Sequence, residues 1–176
     1  MANRQALKDL QIRLAERLQL ARTEGVAPSW LAVEVGANHY LFSMAQAGEI
    51  FPWVSTHPVP YTKSWFLGVA NLRGGLFGVV DLESHLTGPA AVPRRAAPNK
   101  ESMLVTLNAS LEVNCALLVD RLAGMRNQKA FTAFAPKLPE SPDYFGNRYT
   151  DHAGVVWQEI DLQLLAQQSS FLTLGA

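Results

Sequence analysis

The chain has 176 residues, of which 48% are hydrophobic and 17% charged, and its 15 basic residues balance its 15 acidic ones. This neutral balance argues against nucleic-acid binding, which normally requires a basic surface. No apolar run approaches the roughly 18 residues that span a bilayer, the N-terminus lacks the apolar core of a signal peptide, and the single cysteine, Cys115, excludes an internal disulfide. We therefore expect a cytoplasmic globular protein without direct membrane insertion.

The first 25 residues predict an amphipathic helix, which we assign to residues 1–27. Its apolar residues recur on one stripe: Leu7, Leu10, Leu14, Leu18 and Ala21. Gly25 and Pro28 end the pattern. The stripe could dock on the rest of the fold, pair with a partner helix or lie on a membrane. Interspersed acidic residues make the membrane the least favoured of the three.

After residue 28 the pattern changes to short apolar strands separated by turns. The first half predicts strands over residues 30–35, 40–44 and 49–53. A Pro-containing loop follows, and then the hairpin Phe66–Leu86, around which the first half is organised.

The two strands of this hairpin flank Arg73-Gly74-Gly75 and must be antiparallel, because so short a connection permits nothing else. The apolar run over residues 76–80 predicts a strand covered on both faces. Asp81 can cap a short helix over Leu82–Leu86, with Gly88 ending it. Arg73 is a permanent cation between two apolar strands, which is either a solvated turn residue or a functional one.

The second half repeats this order after a Pro-rich linker at residues 88–100. The predicted elements are strands over residues 103–107, 115–120 and 122–126, a loop over 131–143, and a closing strand over 155–160. Asp161 then precedes an apolar C-terminal helix, as Asp81 precedes the first helix. The duplication suggests two small barrels, roughly residues 28–90 and 101–165, since closure removes exposed sheet edges. Strands could be exchanged between the barrels.

The sequence shows no catalytic constellation. The four histidines have no metal-ligand spacing with Cys115 or with one another, and no Gly-rich loop suits a phosphate. We expect neither an enzyme nor a bound metal or cofactor. Aromatic residues near the predicted loops either fill the seam between the barrels or line a groove for a partner helix: Trp53, Trp65, Phe66, Phe131, Phe134 and Tyr144.

The segment GVANLRGGLFGVVDL, residues 68–82, resembles the CheW family of chemotaxis coupling proteins. That family combines an apolar strand, Asn-Leu-Arg-Gly, a hydrophobic strand, and an apolar pair followed by Asp-Leu. The likeness extends over most of residues 30–165. It includes the EVGANHYLF hairpin, Glu49-Ile50, LLVD at residues 117–120 and EIDL at residues 159–162.

The resemblance implies an all-β fold with minor helices, built from two SH3-like five-stranded β-barrels that pack through a third hydrophobic zone. It also implies a non-enzymatic adaptor in the bacterial cytoplasm, recruited to receptor arrays. Its partners would be the cytoplasmic tip of a methyl-accepting chemoreceptor and the regulatory domain of a CheA-type histidine kinase. In the family the receptor contacts the groove between the barrels, and the kinase meets exposed barrel ends.

Carried onto this chain, the resemblance predicts that the groove between the barrels is lined by seven partner-binding residues: Asn71, Leu72, Arg73, Gly74, Val119, Asp120 and Leu122. It predicts structural support of the groove from Glu49, Asp81 and Asp161, with Glu49 as the carboxylate that Arg73 clamps. If Arg73 is a buried charge, its replacement by alanine leaves the mate unpaired and should weaken partner coupling by about 1–3 kcal/mol.

Three features depart from the family pattern. Gly78 occupies a position often held by proline, Arg148-Tyr149-Thr150-Asp151 replaces Asn-Leu-Arg-Gly in the second half, and the leading helix is longer than a minimal coupling protein requires. That helix, with Trp65-Phe66 before the motif, is similar to adaptors of pilus-linked (twitching) chemosensory systems. The residues alone leave two rivals open: a small-molecule-sensing β-barrel module, and an enzyme that uses Cys115 or His85.

Overall fold

The computed structural model describes residues 30–88 and 97–175. The helix predicted at residues 1–27 and most of the linker predicted at residues 88–100 lie outside the described residues. Within the described ranges no helix is long and apolar enough to cross a membrane.

The described residues form many short strands and few helices, which confirms the prediction of an all-β fold with minor helices. The strands are β1 Trp30–Val35, β2 Asn38–Ser43, β3 Ala47–Pro52, β4 Phe66–Leu72, β5 Gly75–Asp81, β6 Met103–Leu107, β7 Cys115–Val119, β8 Arg121–Arg126, β9 Phe131–Ala135, β10 Phe145–Asp151 and β11 Val156–Ile160. The helices are α1 Leu82–Thr87, α2 Leu162–Gln167 and α3 Ser169–Leu172, with 3₁₀ turns at Ala109–Leu111 and Gln128–Ala130.

The strands lie in two sheets, each of which takes strands from both halves of the chain. One sheet has six strands in the order β8-β1-β2-β11-β10-β9, and the other has five in the order β3-β6-β7-β5-β4. β1 and β2 thus join strands of the second half, whereas β6 and β7 complete the sheet of β3, β4 and β5. The parallel pairings of β11 with β2 and of β7 with β5 make this exchange. β4 and β5 pair antiparallel, which confirms the predicted hairpin.

Three apolar clusters hold the sheets together. Each sheet curls so that all of its strands contribute side chains to one small cluster, around Leu118 in the five-stranded sheet and around Trp157 in the six-stranded sheet. A third and larger cluster lies between the sheets and includes Phe42 from one and Leu117 from the other. We call it the shared cluster.

The shared cluster explains why some strands are apolar throughout. Successive side chains of a strand point to opposite faces. In β7, Ala116 and Leu118 face the interior of the five-stranded sheet, whereas Cys115, Leu117 and Val119 face the shared cluster. All five are at most 4% exposed. Burying one leucine-sized side chain stabilises the fold by about 1.5–3 kcal/mol, so β7 stabilises its own sheet and the contact between the sheets.

Two strand predictions need correction. Phe131–Ala135 is β9 and not part of a loop, because it pairs with β10 at the edge of the six-stranded sheet. The prolines that suggested a loop all follow it in sequence. Leu76, near the start of β5, is 63% exposed. The strand is therefore covered on both faces only towards its end, where Val79 and Val80 are buried.

The duplication is visible where a strand leads into a helix. The backbone N–H of Asp81 donates to the carbonyl of Trp65 at 2.8 Å, and that of Asp161 donates to the carbonyl of Tyr144 at 2.8 Å. The two side chains act differently. The Asp161 carboxylate accepts two backbone N–H groups of α2, whereas the Asp81 carboxylate accepts the Ser84 hydroxyl at 2.8 Å and makes no cap to the backbone. The predicted cap is therefore found at Asp161 and not at Asp81.

His85, on α1, is packed in apolar surroundings. It lies between Trp65 and Phe171, with ring centroids at 4.8 and 5.2 Å and nearly perpendicular planes. Its Nδ1 is buried without a hydrogen-bond partner among the described residues. Burial, with a smaller contribution from the charge of Lys63, lowers the pKa of His85 to about 4. Because this folded-state pKa is below the unfolded value of about 6.5, stability is fully present above that value and falls as the pH drops towards 4.

His85→Phe keeps an aromatic ring but cannot titrate. When the pH falls from 7 to 4.5, we expect the free energy of unfolding of the native chain to fall by about 1–2 kcal/mol more than that of His85→Phe. Urea unfolding at each pH measures the difference. His152→Gln, at an exposed position, is the control and should follow the native chain. Equal acid losses in the native chain and in His85→Phe would contradict the burial of a neutral imidazole.

Candidate partner-binding surfaces

The Asn-Leu-Arg-Gly motif forms the turn between β4 and β5. Leu72 pairs with Gly75, which leaves Arg73 and Gly74 as the two turn residues. Both have positive φ, 49° and 85°, as in a type I′ turn, whose twist suits a hairpin. The side-chain oxygen of Asn71 accepts the Gly74 N–H at 2.8 Å. Glycine suits the last position of the motif because residues with a side chain are strained at the positive φ of Gly74.

Arg73 reaches the strand at the opposite edge of its sheet. Its Nη1 lies 2.6 Å from Oε2 of Glu49 on β3, and its Cζ lies 5.7 Å from the ring centroid of Phe51. Since β3 and β4 are the two edges of the five-stranded sheet, this contact joins the edges at one end of the barrel.

The ion pair is open to solvent. The side chains of Arg73 and Glu49 are 75% and 60% exposed, and exposed pairs contribute only about 0–1 kcal/mol to folding. Arg73 is therefore not the buried charge that the sequence suggested. Any larger effect of its removal must come from a partner that covers the pair.

Glu49 is held in place by a residue that the sequence analysis did not single out. The hydroxyl of Thr106 on β6, which is 4% exposed, accepts the Glu49 N–H at 2.8 Å and donates to the Glu49 carbonyl at 3.1 Å. Gly48 permits this approach, because a Cβ there would lie 2.5 Å from the hydroxyl oxygen. The register of β3 against β6 shifts between Ala47 and Ile50, a bulge that re-aims the strand. The sequence feature that could have indicated this role is Thr106 itself, the one polar residue in the otherwise apolar strand β6.

These residues form a first candidate surface, which we call the turn surface: Glu49, Ile50, Asn71, Arg73, Gly74 and Leu76. Ile50 and Leu76 are 41% and 63% exposed, so apolar area adjoins the ion pair, a combination typical of protein interfaces. Leu72 is only 4% exposed and packs inside the five-stranded sheet. It supports the turn and offers a partner little contact area.

Asp120 lies where the chain passes from one sheet to the other, after β7 and before β8. Its Oδ2 accepts the Gly36 N–H at 2.6 Å, and its own N–H donates to the Glu34 carbonyl at 2.9 Å. Arg121 clamps the Glu34 carboxylate through Nε at 3.1 Å and Nη2 at 2.7 Å. The hydrogen bond to Glu34 raises the pKa of Arg121.

These contacts define a second candidate surface, which we call the junction surface: Glu34, Gly36, Asp120, Arg121 and Leu122. Gly36 is in the turn between β1 and β2 with φ at 59°, and a Cβ there would collide with the Glu83 carboxylate on α1. Asp120 thus ties a turn of one sheet to a strand of the other. Leu122 is partly buried against the shared cluster, and Val119 is wholly buried in it, so Val119 contributes packing and not surface.

The seven predicted partner-binding residues do not lie together. β5 and β7 run parallel, with Gly78 beside Cys115. Arg73 precedes Gly78 by five residues and Asp120 follows Cys115 by five, so the turn and junction surfaces lie at opposite ends of these strands. These ten residues, at about 3.3 Å each, place them roughly 33 Å apart along the strands. The two groups form separate surfaces of one packed body.

Asp81 and Asp161, predicted to support the groove, both act at helix starts. Asp161 Oδ1 also accepts Nε2 of Gln46 at 3.0 Å, and Oε1 of Gln46 accepts the Leu162 N–H at 2.9 Å. These two hydrogen bonds connect the turn between β2 and β3 to α2. Asp81 is 4% exposed and lies at the junction end of β5, beside Leu118.

The candidate nucleophile Cys115 is poorly suited to chemistry. It is 4% exposed, and burial raises the pKa of its thiol to about 12, so the reactive thiolate does not form near neutral pH. Within residues 30–88 and 97–175, no group of three His, Cys, Asp or Glu side chains could hold a metal ion. The burial of Cys115 gives no support to an enzyme that uses this thiol as its nucleophile.

Comparisons with known proteins agree on one family. The family described as CheW-like domain matches residues 29–170. Protein PilI of Pseudomonas aeruginosa is 27% identical over 168 residues, which cover 93% of this chain and 89% of that protein. The chemotaxis protein CheW of Rhizobium meliloti is 33% identical over 63 residues, 36% of this chain and 41% of that protein. The crystal structure of the scaffolding protein TtCheW from Thermoanaerobacter tengcongensis matches with a TM-score of 0.67 and 17% identity, over 82% of this chain and 91% of that one.

We expect Asp120→Ala to lower the free energy of unfolding by about 1–3 kcal/mol, because the Gly36 N–H loses its carboxylate acceptor at the contact between the sheets. Asp120→Asn keeps an acceptor oxygen and should cost less. Asp143→Ala is the matched control, since its side chain is 84% exposed in a 3.8 Å pair with Lys137, and should stay within about 0.5 kcal/mol. Urea unfolding of the three variants measures these values. If Asp120→Ala lowers the free energy of unfolding no more than Asp143→Ala does, the hydrogen bond from Gly36 to Asp120 does not stabilise the contact between the sheets.

Proposed function

The chain belongs to the CheW-like domain family, and on this basis we propose that it is a non-enzymatic adaptor that couples a methyl-accepting chemoreceptor to a CheA-type histidine kinase. The observation that carries the proposal is the placement of two candidate surfaces at opposite ends of β5 and β7, within one continuously packed body. A conformational change in a receptor can bias a kinase only if both are held on the same stiff scaffold. The shared cluster is what supplies stiffness here.

The two surfaces suit different partners. The turn surface lies at a barrel end, and we assign it to the regulatory domain of the kinase. The junction surface lies between the sheets, and we assign it to the cytoplasmic tip of the receptor. Each combines exposed or partly buried apolar area with an arginine–carboxylate pair, which would fix the register of docking more than its affinity.

We further propose that the adaptor acts in a pilus-linked, twitching-motility system. The similarity to Protein PilI supports this, because it extends over 93% of the chain. The CheW-like domain would then occupy residues 28–176, and the helix predicted at residues 1–27 would precede it. The place of action would be the bacterial cytoplasm, at membrane-bound receptor arrays.

The test is joint binding. Purified chain should bind a receptor signalling fragment and a kinase regulatory-domain fragment at the same time, giving a ternary complex by analytical ultracentrifugation, because the surfaces are far apart. Binding of only one fragment at a time would show that the two partners compete for one surface. Failure to bind either fragment would end the adaptor proposal.

Arg73→Ala tests the turn surface. We expect it to weaken kinase-fragment binding by about 1–3 kcal/mol, roughly 5- to 150-fold, because a partner that covers the ion pair desolvates it. Receptor-fragment binding should be unchanged, and the free energy of unfolding should move by less than about 1 kcal/mol. Isothermal titration calorimetry with each fragment measures the first two quantities, and urea unfolding measures the third.

Glu49→Ala should reproduce the kinase defect, and the double variant should be no worse than either single one, since all three lack the same pair. Lys137→Ala, which breaks a solvent-exposed pair in the loop between β9 and β10 of the other sheet, is the control. If Arg73→Ala changes binding of neither fragment, Arg73 has no part in docking. If it unfolds the protein, its role is structural.

A further inference from the structure

A third arginine, Arg148, lies in a cleft on the face of the six-stranded sheet that points away from its own interior cluster. Arg148 on β10 is directly opposite Gln158 on β11, which is directly opposite Tyr40 on β2. Residues paired in this way point to the same face of a sheet. The cleft has a volume of about 390 Å³, and the loop that follows β9 closes one side of it through Leu138 and Ser141. We call it the Arg148 cleft.

The Arg148 guanidinium lacks a carboxylate partner. Its Nε is buried without a hydrogen-bond acceptor among the described residues, and no ion pair within those ranges involves it. Buried charge-bearing N–H groups are normally paired, because an unmade hydrogen bond costs free energy. None of the residues that line the cleft is aspartate or glutamate. The lining therefore contains one arginine and no carboxylate, and the nearest carboxylate charge shown at the cleft is that of Glu83, which acts on Tyr40.

Glu159, on the neighbouring strand β11, does not pair with Arg148. Glu159 is adjacent to Gln158, so its side chain points to the opposite face of the sheet. Its carboxylate there accepts the indole N–H of Trp30 at 2.8 Å and the backbone N–H of Asn147 at 3.3 Å. Strand alternation thus keeps this carboxylate away from Arg148.

The rest of the cleft is already in place. The Gln158 amide donates to the carbonyls of Gly146 and Glu159, each at 2.9 Å, and the Ser141 hydroxyl donates to the Leu138 carbonyl at 2.6 Å. At the rim, Leu138 and Val156 are each 52% exposed. Fixed polar walls, an apolar rim and an unpaired arginine make up the pattern of an interface hot spot.

From this charge complementarity we propose that the Arg148 cleft binds a glutamate or aspartate side chain of a partner protein, whose neighbouring aliphatic residues cover Leu138 and Val156. The guanidinium supplies a planar donor pair that matches a single carboxylate. A phosphate would normally gather several donors or a helix N-terminus, and the cleft offers neither. The inference rests on the proposed adaptor function for the identity of the partner, one of the two signalling fragments.

The first experiment needs no partner protein. N-acetyl-glutamate N-methylamide is titrated into the chain while the Arg148 Nε–H and Val156 methyl resonances are followed by NMR. We expect saturable shifts at both positions. The neutral N-acetyl-glutamine N-methylamide should produce none, and Arg148→Gln should abolish the response at Val156. Equal shifts with both compounds, or no shift with the acidic one, would overturn the cleft as a carboxylate site.

The second experiment uses the two protein fragments. Arg148→Gln should weaken binding of one of them at least 10-fold. Arg148→Lys should be intermediate, because it keeps the charge but loses the planar fork. Lys137→Gln, which removes the same charge from the adjoining loop outside the cleft, should leave binding unchanged.

The two proposals fail separately. If both fragments bind the native chain and Arg148→Gln equally well, the cleft proposal is overturned and the adaptor function stands. If neither fragment binds the native chain, the adaptor function fails, and the titration with the glutamate compound alone decides whether the cleft binds carboxylates.

Discussion

The shared cluster between the two sheets is the contact on which the rest of the structure depends. Each sheet has a small interior of its own, and neither interior alone is large. The strands that face both an interior and the shared cluster convert two marginal barrels into one body. This arrangement leaves β7 without a polar face, and it explains why Cys115 is sealed from solvent and chemically quiet.

A body built in this way separates its surfaces instead of joining them. The parallel pairing of β5 with β7 places the turn before β5 at one end and the passage after β7 at the other. Residues that belong to motifs of the same family, such as Arg73 and Asp120, are therefore not necessarily neighbours in space. For an adaptor the separation is useful, because two partners can occupy the same scaffold without contact between them.

The arginines of this protein differ in what surrounds them. Arg73 and Arg121 are exposed and paired with carboxylates, so each contributes little to folding and is available to orient a partner. Arg148 is partly buried, and its Nε has no acceptor within the described ranges. Arg73 and Arg121 therefore have their carboxylate partners within the chain, whereas for Arg148 the proposed partner protein would supply the carboxylate.

Local patterns in the sequence were enough to determine the strand-rich class, the hairpin at Arg73-Gly74, the short helices after Asp81 and Asp161, and the family, because turn residues and alternation act over a few positions. They misjudged β9 as a loop and Arg73 as buried, since edge pairing and exposure depend on residues far away in sequence. The exchange of β1 and β2 into the other sheet, the hold of Thr106 on Glu49 and the isolation of Arg148 were decided only by tertiary structure. Each depends on which strands become neighbours, and that choice is made by how the whole chain buries its apolar faces.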